Sequence, residues 1–147
     1  SPGEKVMPEY IDRSVYSSDY PFLENLDNKC YYPNTWAETD FRRHNLILLR
    51  AAAPVGYIAY RPMIGRTLHI MRFGVHPAFR RQGKGKHFLD FAINYTLCDH
   101  FTFIIPESNA EGLAFLRNCG HPIRHTNLIN GNWYYFKLEA NRESGSN

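Results

Sequence analysis

The 147-residue chain lacks any apolar run near the roughly 18–20 residues that a membrane-spanning helix needs. Its start is polar, with no apolar segment of the kind that opens a secretory signal. Cysteine is scarce: Cys30, Cys98 and Cys119 form an odd set with no CxxC pair. That argues against a disulfide framework and for an intracellular reducing compartment, the cytoplasm. There is no long basic tract either. Seventeen Lys and Arg against 14 Asp and Glu leave a net charge of +3, which reads as a mildly basic solvated surface and not a nucleic-acid face. No repeat and no linker interrupts the chain. These absences leave one globular domain over residues 1–147, with a core over about 6–139 and a polar tail at 140–147, and no membrane or nucleic acid among its partners.

What is present supports a real core: 44% of residues are hydrophobic and 15% aromatic. Residues 1–13 are polar, although Tyr10 and Ile11 fit an edge strand. Phe22, Leu23 and Leu26 fit a short helix over Asp19 to Leu26, with a loop over Asn28–Asn34. Thr35 then offers an N-cap, with Glu38 in capping-box position, to a helix through Trp36, Ala37, Phe41, Arg42 and Arg43. Asn45–Arg50 and Val55–Tyr60 read as a hairpin turned by Ala51–Pro54. Thr67–Val75 is a strand, and Phe88, Leu89, Ala92, Ile93 and Leu97 recur at helical spacing. Phe101–Ile105 is nearly continuous apolar sequence, as in a buried parallel strand. Ser108 and Glu111 have capping-box spacing before a helix that stops at Gly120. Two last strands, Pro122–Thr126 and Trp133–Leu138, flank the turn Asn130-Gly131-Asn132. The class is α/β.

The segment Arg80-Arg81-Gln82-Gly83-Lys84-Gly85-Lys86 joins the central strand to its helix. Glycines at the mouth of a helix let backbone N–H groups converge. Those groups have no intrahelical acceptors, and the helix dipole adds positive potential there. With four cationic side chains around them, they predict a phosphate site, and the expected ligand is a pyrophosphate. Cys119, His121 and His125 have a suggestive metal spacing, but no fourth ligand is near, so no metal is expected.

Val75-His76-Pro77-x-x-Arg80-x-x-Gly83-x-Gly85 resembles the acetyl-CoA signature of the GNAT superfamily of N-acetyltransferases. Ser108-Asn109-Ala110, with Ala114-Phe115 and Gly120, resembles its second cofactor motif. Pro33-x-x-Trp36-x-x-x-x-Phe41 and Pro54-Val55-Gly56-Tyr57 resemble the branch that acetylates N-terminal amines of ribosomal proteins. The resemblance covers roughly residues 20–138. It implies an α+β fold in one domain: a mixed, mostly antiparallel sheet of about seven strands flanked by about four helices, with strands four and five splayed. It implies acetyl-CoA as cofactor. The pantetheine arm would pair with Phe73, Gly74 and Val75, and Asn109 would contact it. The pyrophosphate would rest on the backbone of Arg81, Gln82, Gly83, Lys84, Gly85 and Lys86, flanked by Arg80. Family members act as monomers or share strands between subunits, so a monomer or weak homodimer is implied.

Acetyl transfer needs a neutral amine, stabilisation of the thioester oxygen as it gains charge, and a proton for the departing thiolate. In the ribosomal-protein branch a Glu on strand five and a Tyr on the next helix act as base and acid, and those positions hold Ile104 and Leu116 here. Histone acetyltransferases of the superfamily place the base on strand four, six residues before the Val of Val-x-Pro; that position is His69. Unperturbed imidazole is mostly neutral at pH 7–8 and able to accept a proton. Tyr134, with Tyr135, Tyr57 and Tyr60 as alternatives, is the candidate acid. A lysine amine is neutral to about one part in a thousand at pH 7.4, an N-terminal amine to about a quarter. A site with a weak base therefore favours a protein or peptide α-amine. Glu24, Asp27, Glu38 and Asp40 instead raise a small polyamine-like acceptor, and loss of both family groups raises a non-catalytic acyl-CoA-binding module.

Overall fold

Alternating apolar residues make Thr67–Val75 a strand, and the rest of a sheet is built outward from it. The computed structural model describes residues 9–80 and 82–142. Strands β1 (Tyr10–Asp12), β2 (Asn45–Arg50), β3 (Pro54–Met63), β4 (Thr67–Val75), β5 (His100–Pro106), β6 (Ile123–Ile129) and β7 (Trp133–Glu139) form one seven-stranded sheet. Their order is β1-β2-β3-β4-β5-β7-β6. Five α-helices accompany them: α1 (Tyr20–Tyr31), α2 (Glu38–Phe41), α3 (Pro77–Arg80), α4 (Lys84–Thr96) and α5 (Ala110–Asn118). The fifth, beyond the expected four, is α3, a single turn that Pro77 starts. The chain divides into two compact units, Ser1–Ala59 with Arg72–Gly85 and Tyr60–Met71 with Lys86–Asn147.

In the first unit, β1 pairs antiparallel with β2, Tyr10 opposite Arg50 and Asp12 opposite Leu48. Arg50 is buried, and its guanidinium forks onto Asp19 at 2.6 and 2.8 Å while Nε reaches Asp12 at 3.0 Å. Leu23 and Leu26 of α1 are buried with Phe41, Ile47, Leu48, Tyr57 and Ile58. Helix α1 runs on to Tyr31, through the expected loop, because Leu23, Asp27 and Tyr31 continue its inward stripe at i, i+4. Helix α2 is shorter than its capping box predicts. The Trp36 N–H donates to Asp27 Oδ2 at 2.6 Å, which holds Trp36 outside the helix, and the Ala37 N–H is capped by Asp40 Oδ2 at 2.9 Å.

In the second unit, β4 pairs parallel with β5, and that ladder joins Thr67–His69 to His100–Thr102. Strand β7 pairs antiparallel with both β5 and β6. Phe88, Leu89, Ala92 and Ile93 of α4, Leu113 and Leu116 of α5, and Phe101, Phe103, Phe136 and Leu138 of the sheet are buried. His121 is buried too; its Nδ1 accepts from the Asn141 N–H at 2.9 Å, so Nε2 donates to Asp90 at 2.6 Å. The helix stop at Gly120 has φ +84°, the left-handed conformation that glycine adopts without strain.

Candidate active site

The turn that follows β4 is built from α3 and the start of α4. Gln82 and Gly83 lie between them, and Gly83 has φ +71°. A Cβ built on Gly83 would meet nothing within 4 Å, so the turn is open on that side. The N–H groups of Gln82 and Gly83 make long bonds of 3.3 Å to Phe79 and Arg80 carbonyls. Those of Lys84, Gly85 and Lys86 form the first turn of α4, where helix geometry supplies no acceptor. The cationic side chains are largely engaged inside the protein. Arg80 Nε donates to the Val75 carbonyl at 2.7 Å and Nη2 lies 3.1 Å from Cys30 Sγ. Lys84 pairs with Glu9 at 2.5 Å, and Lys86 with Asp90 at 2.8 Å. What this turn offers an anion is backbone donors and a helix dipole, which fits the pyrophosphate of a coenzyme. Gln82 is exposed and bonds back to the Ala78 carbonyl at 3.2 Å, and Arg81 lies outside the described residues.

Upstream of the turn, β4 carries a dense polar cluster. Asp27 is fully buried, and both its oxygens are filled. Oδ1 accepts from the Tyr57 hydroxyl and from Arg72 Nε at 2.8 Å; Oδ2 accepts from Arg72 Nη2 at 3.0 Å and from the Trp36 N–H. That satisfies about all four lone-pair directions of a carboxylate. Arg72 also donates to the Asn34 carbonyl and lies over the rings of Tyr31, at 4.0 Å, and Trp36, at 4.9 Å. Burial pushes the Tyr57 phenol far above its ordinary pKa, so it stays a donor. Gly74 is glycine because the Tyr57 ring covers it: a Cβ there would meet the ring at 2.6 Å. Phe73 presents its backbone to Tyr31, whose hydroxyl donates to the Phe73 carbonyl at 2.5 Å and accepts from its N–H at 3.3 Å. Sequence reasoning missed Arg72 and Tyr31 and read Asp27 as an acceptor-side acid. The signal was there: an Asp within the apolar stripe of α1 needs a buried cation.

In the second unit, His69 is half-buried with Nδ1 2.6 Å from Thr102 Oγ1. Burial, and then the charge of Arg61, hold its pKa below the usual histidine value, so the ring is neutral at physiological pH. Ladder partners project to one face of a sheet. His69 pairs with Thr102, Thr102 with Lys137 and Ile104 with Tyr135, which puts His69, Thr102, Ile104 and Tyr135 on one face. Tyr134 pairs with Ile105 and belongs to the opposite face, beside Phe136. The structure does not bring His69 and Tyr134 together. Ile104, at the position of the family Glu, is 43% exposed on the face of His69. Asn109 caps α5 by accepting from the Gly112 N–H at 2.9 Å, a cap one residue later than the sequence spacing predicts. Asparagine caps as well as serine, and Gly112 leaves room for it: a Cβ there would lie 2.7 Å from Asn109 Nδ2.

Cys119, His121 and His125 go separate ways, to the Leu116 carbonyl, to Asp90 and to the Tyr135 ring. No group of three His, Cys, Asp or Glu among the described residues is placed to hold a metal. No helix among them is long and apolar enough to cross a membrane.

A strand, an open glycine turn, a helix start and a parallel neighbouring strand agree with the class that the family comparison defines, an acyl-CoA-dependent transferase. The chain belongs to the acetyltransferase (GNAT) family, whose model matches residues 12–121. It is an N-acetyltransferase that uses acetyl-CoA. No curated protein matches the sequence significantly. Among solved structures, it is similar to the ribosomal-protein-S18-alanine N-acetyltransferase of Escherichia coli, with 16% identity, 89% of this chain and 92% of that one covered, and a TM-score of 0.67. Ard1 of Thermoplasma volcanium gives 17% identity, coverages of 90% and 99%, and a TM-score of 0.72. A Bacillus subtilis acetyltransferase in complex with CoA gives 15% identity, coverages of 90% and 98%, and a TM-score of 0.61.

Proposed function

We propose that the acceptor is a protein or peptide N-terminal α-amine, which attacks directly within a ternary complex. The observation that carries this reading is His69, a neutral imidazole anchored through Nδ1 to Thr102 on the same face as Ile104. A base with a lowered pKa is poorly suited to stripping a lysine ammonium, whose pKa is near 10.4. It suits an α-amine, already neutral to about a quarter near pH 7.4. His69 accepts the proton that the amine sheds, through Nε2, while Thr102 fixes the ring. Of the tyrosines weighed as acid, Tyr135 shares the His69 face and is preferred over Tyr134. The backbone of Lys84, Gly85 and Lys86 holds the pyrophosphate, the edge of β4 at Phe73–Val75 receives the pantetheine arm, and Asn109 contacts that arm. Bound acetyl-CoA supplies the acetyl group as a thioester. The solved neighbour that acts on the alanine of ribosomal protein S18 supports an α-amine acceptor.

A small polycation loses its main support in the first unit. Asp27 is consumed by Arg72, Glu38 by Arg42 at 2.8 Å, and Asp40 by the Ala37 N–H. The test is transfer from acetyl-CoA to three sets of acceptors: peptides with free N-termini, the same peptides N-terminally blocked but carrying lysine, and small amines. Acetylation of the first set is expected. Fast transfer to a small amine with none to any peptide would overturn the reading.

A further inference from the structure

Within the first unit, side chains of α1 and α3 bond the backbone of β4 at Phe73 and Val75. Tyr31 Oη donates to the Phe73 carbonyl at 2.5 Å and accepts from the Phe73 N–H at 3.3 Å. The Val75 carbonyl accepts from Arg80 Nε at 2.7 Å and, more weakly, from the Cys30 thiol at 3.7 Å. An extended residue offers a partner one donor and one acceptor. An amide of an extended ligand answers with one acceptor and one donor. A phenol carries the same complement on a single oxygen.

We propose that Tyr31 is a hydrogen-bond placeholder: it occupies the Phe73 backbone of β4 until an amide of the pantetheine arm replaces it, so the Tyr31 hydroxyl must leave that backbone for acetyl-CoA to bind. The proposal rests on the reading of Phe73 as the pantetheine edge. The closed position is held from the other side of the ring, where the Arg72 guanidinium stacks at 4.0 Å and is itself forked onto Asp27. Tyr31 is the last residue of α1, and Tyr32 after it is 78% exposed, so few contacts hold the chain beyond it. Burial pushes the phenol up to about 12, so it stays protonated and able to donate. The same shift argues against Tyr31 as the acid for the leaving thiolate. Passing its proton to a thiolate whose conjugate acid has a pKa of about 8.5 runs uphill.

A ligand that binds only the open state has its affinity reduced by the fraction of protein that is open. Tyr31→Phe removes the competing hydroxyl and keeps the ring. Calorimetric titration with CoA is expected to give a Kd several-fold lower for this variant than for the wild type, on the order of three- to ten-fold. Equal or weaker binding in the folded variant overturns the proposal and leaves the cofactor reading standing. A second measurement needs no variant. In stopped-flow mixing of the wild type with CoA, followed by tryptophan emission because Trp36 shares the Arg72 stack, the observed rate is expected to level off with CoA concentration as opening becomes limiting. A rate that climbs linearly throughout overturns the proposal. If the wild type binds no CoA, the cofactor reading falls first and the placeholder falls with it.

Discussion

Arg72 and His69 belong to one strand, and their surroundings treat them in opposite ways. Arg72 keeps its charge in a half-buried position because Asp27 is buried to meet it, and Tyr57, Trp36 and the Asn34 carbonyl complete the network. His69 has one described hydrogen-bond partner, Thr102, and is held neutral by burial and by Arg61. The first arrangement fills both oxygens of the Asp27 carboxylate with donors. The second leaves Nε2 with no described partner, on a face that also carries an exposed Ile104. On the proposed mechanism, the buried charge on this strand is structural and the neutral group is the one that exchanges a proton.

Removing Asp27 should break the comparison most severely. Asp27→Ala leaves a half-buried guanidinium without its anion, and stability should fall by about 3–5 kcal/mol, read from urea unfolding. A loss below about 1 kcal/mol would mean the cluster does not hold the unit together.

His69→Ala should do the reverse. It should lower kcat by about 10²–10⁴-fold while the unfolding midpoint barely moves. In the wild type, kcat/KM should rise as pH climbs through the lowered pKa of His69 and rise again as the acceptor α-amine, with a pKa of about 7.7–8.0, loses its proton. The sign for stability agrees: the unfolded chain binds this proton more readily, so stability is full above about pH 6.5 and declines as pH falls toward the folded pKa. An acid limb retained in the His69→Ala variant would assign the titration to another group.

Gly74→Ala would drive a methyl into the Tyr57 ring, which its bond to Asp27 keeps from turning away. A cost of about 1–3 kcal/mol is expected in thermal unfolding. Asn109→Ala is the mildest. It removes the cap of α5 for about 1 kcal/mol. Since Asn109 is also proposed to touch the pantetheine arm, CoA affinity should fall in the same variant; unchanged affinity would reduce Asn109 to a cap.

Much of this was legible before any coordinates. Strand β4 has the bounds its apolar spacing predicts, and the glycine turn opens α4 as expected. Local signals suffice where one segment supplies its own period and its own stop. They fail where a distant residue decides. Thr35 and Glu38 form a sound capping pair, but Asp27 captures the Trp36 N–H and delays the helix. Tyr134 and Tyr135 are equivalent as neighbours in a sequence; only the register of β7 on β5 separates their faces. The clasp of Tyr31 on Phe73 joins residues that no periodicity connects.

The most direct test of the central claim uses one peptide with a free α-amine and one internal lysine, incubated with acetyl-CoA and the wild-type protein and mapped by fragmentation mass spectrometry. Acetylation at the α-amine, lost in His69→Ala, is the predicted result. Acetylation at the lysine with the α-amine left free would contradict it.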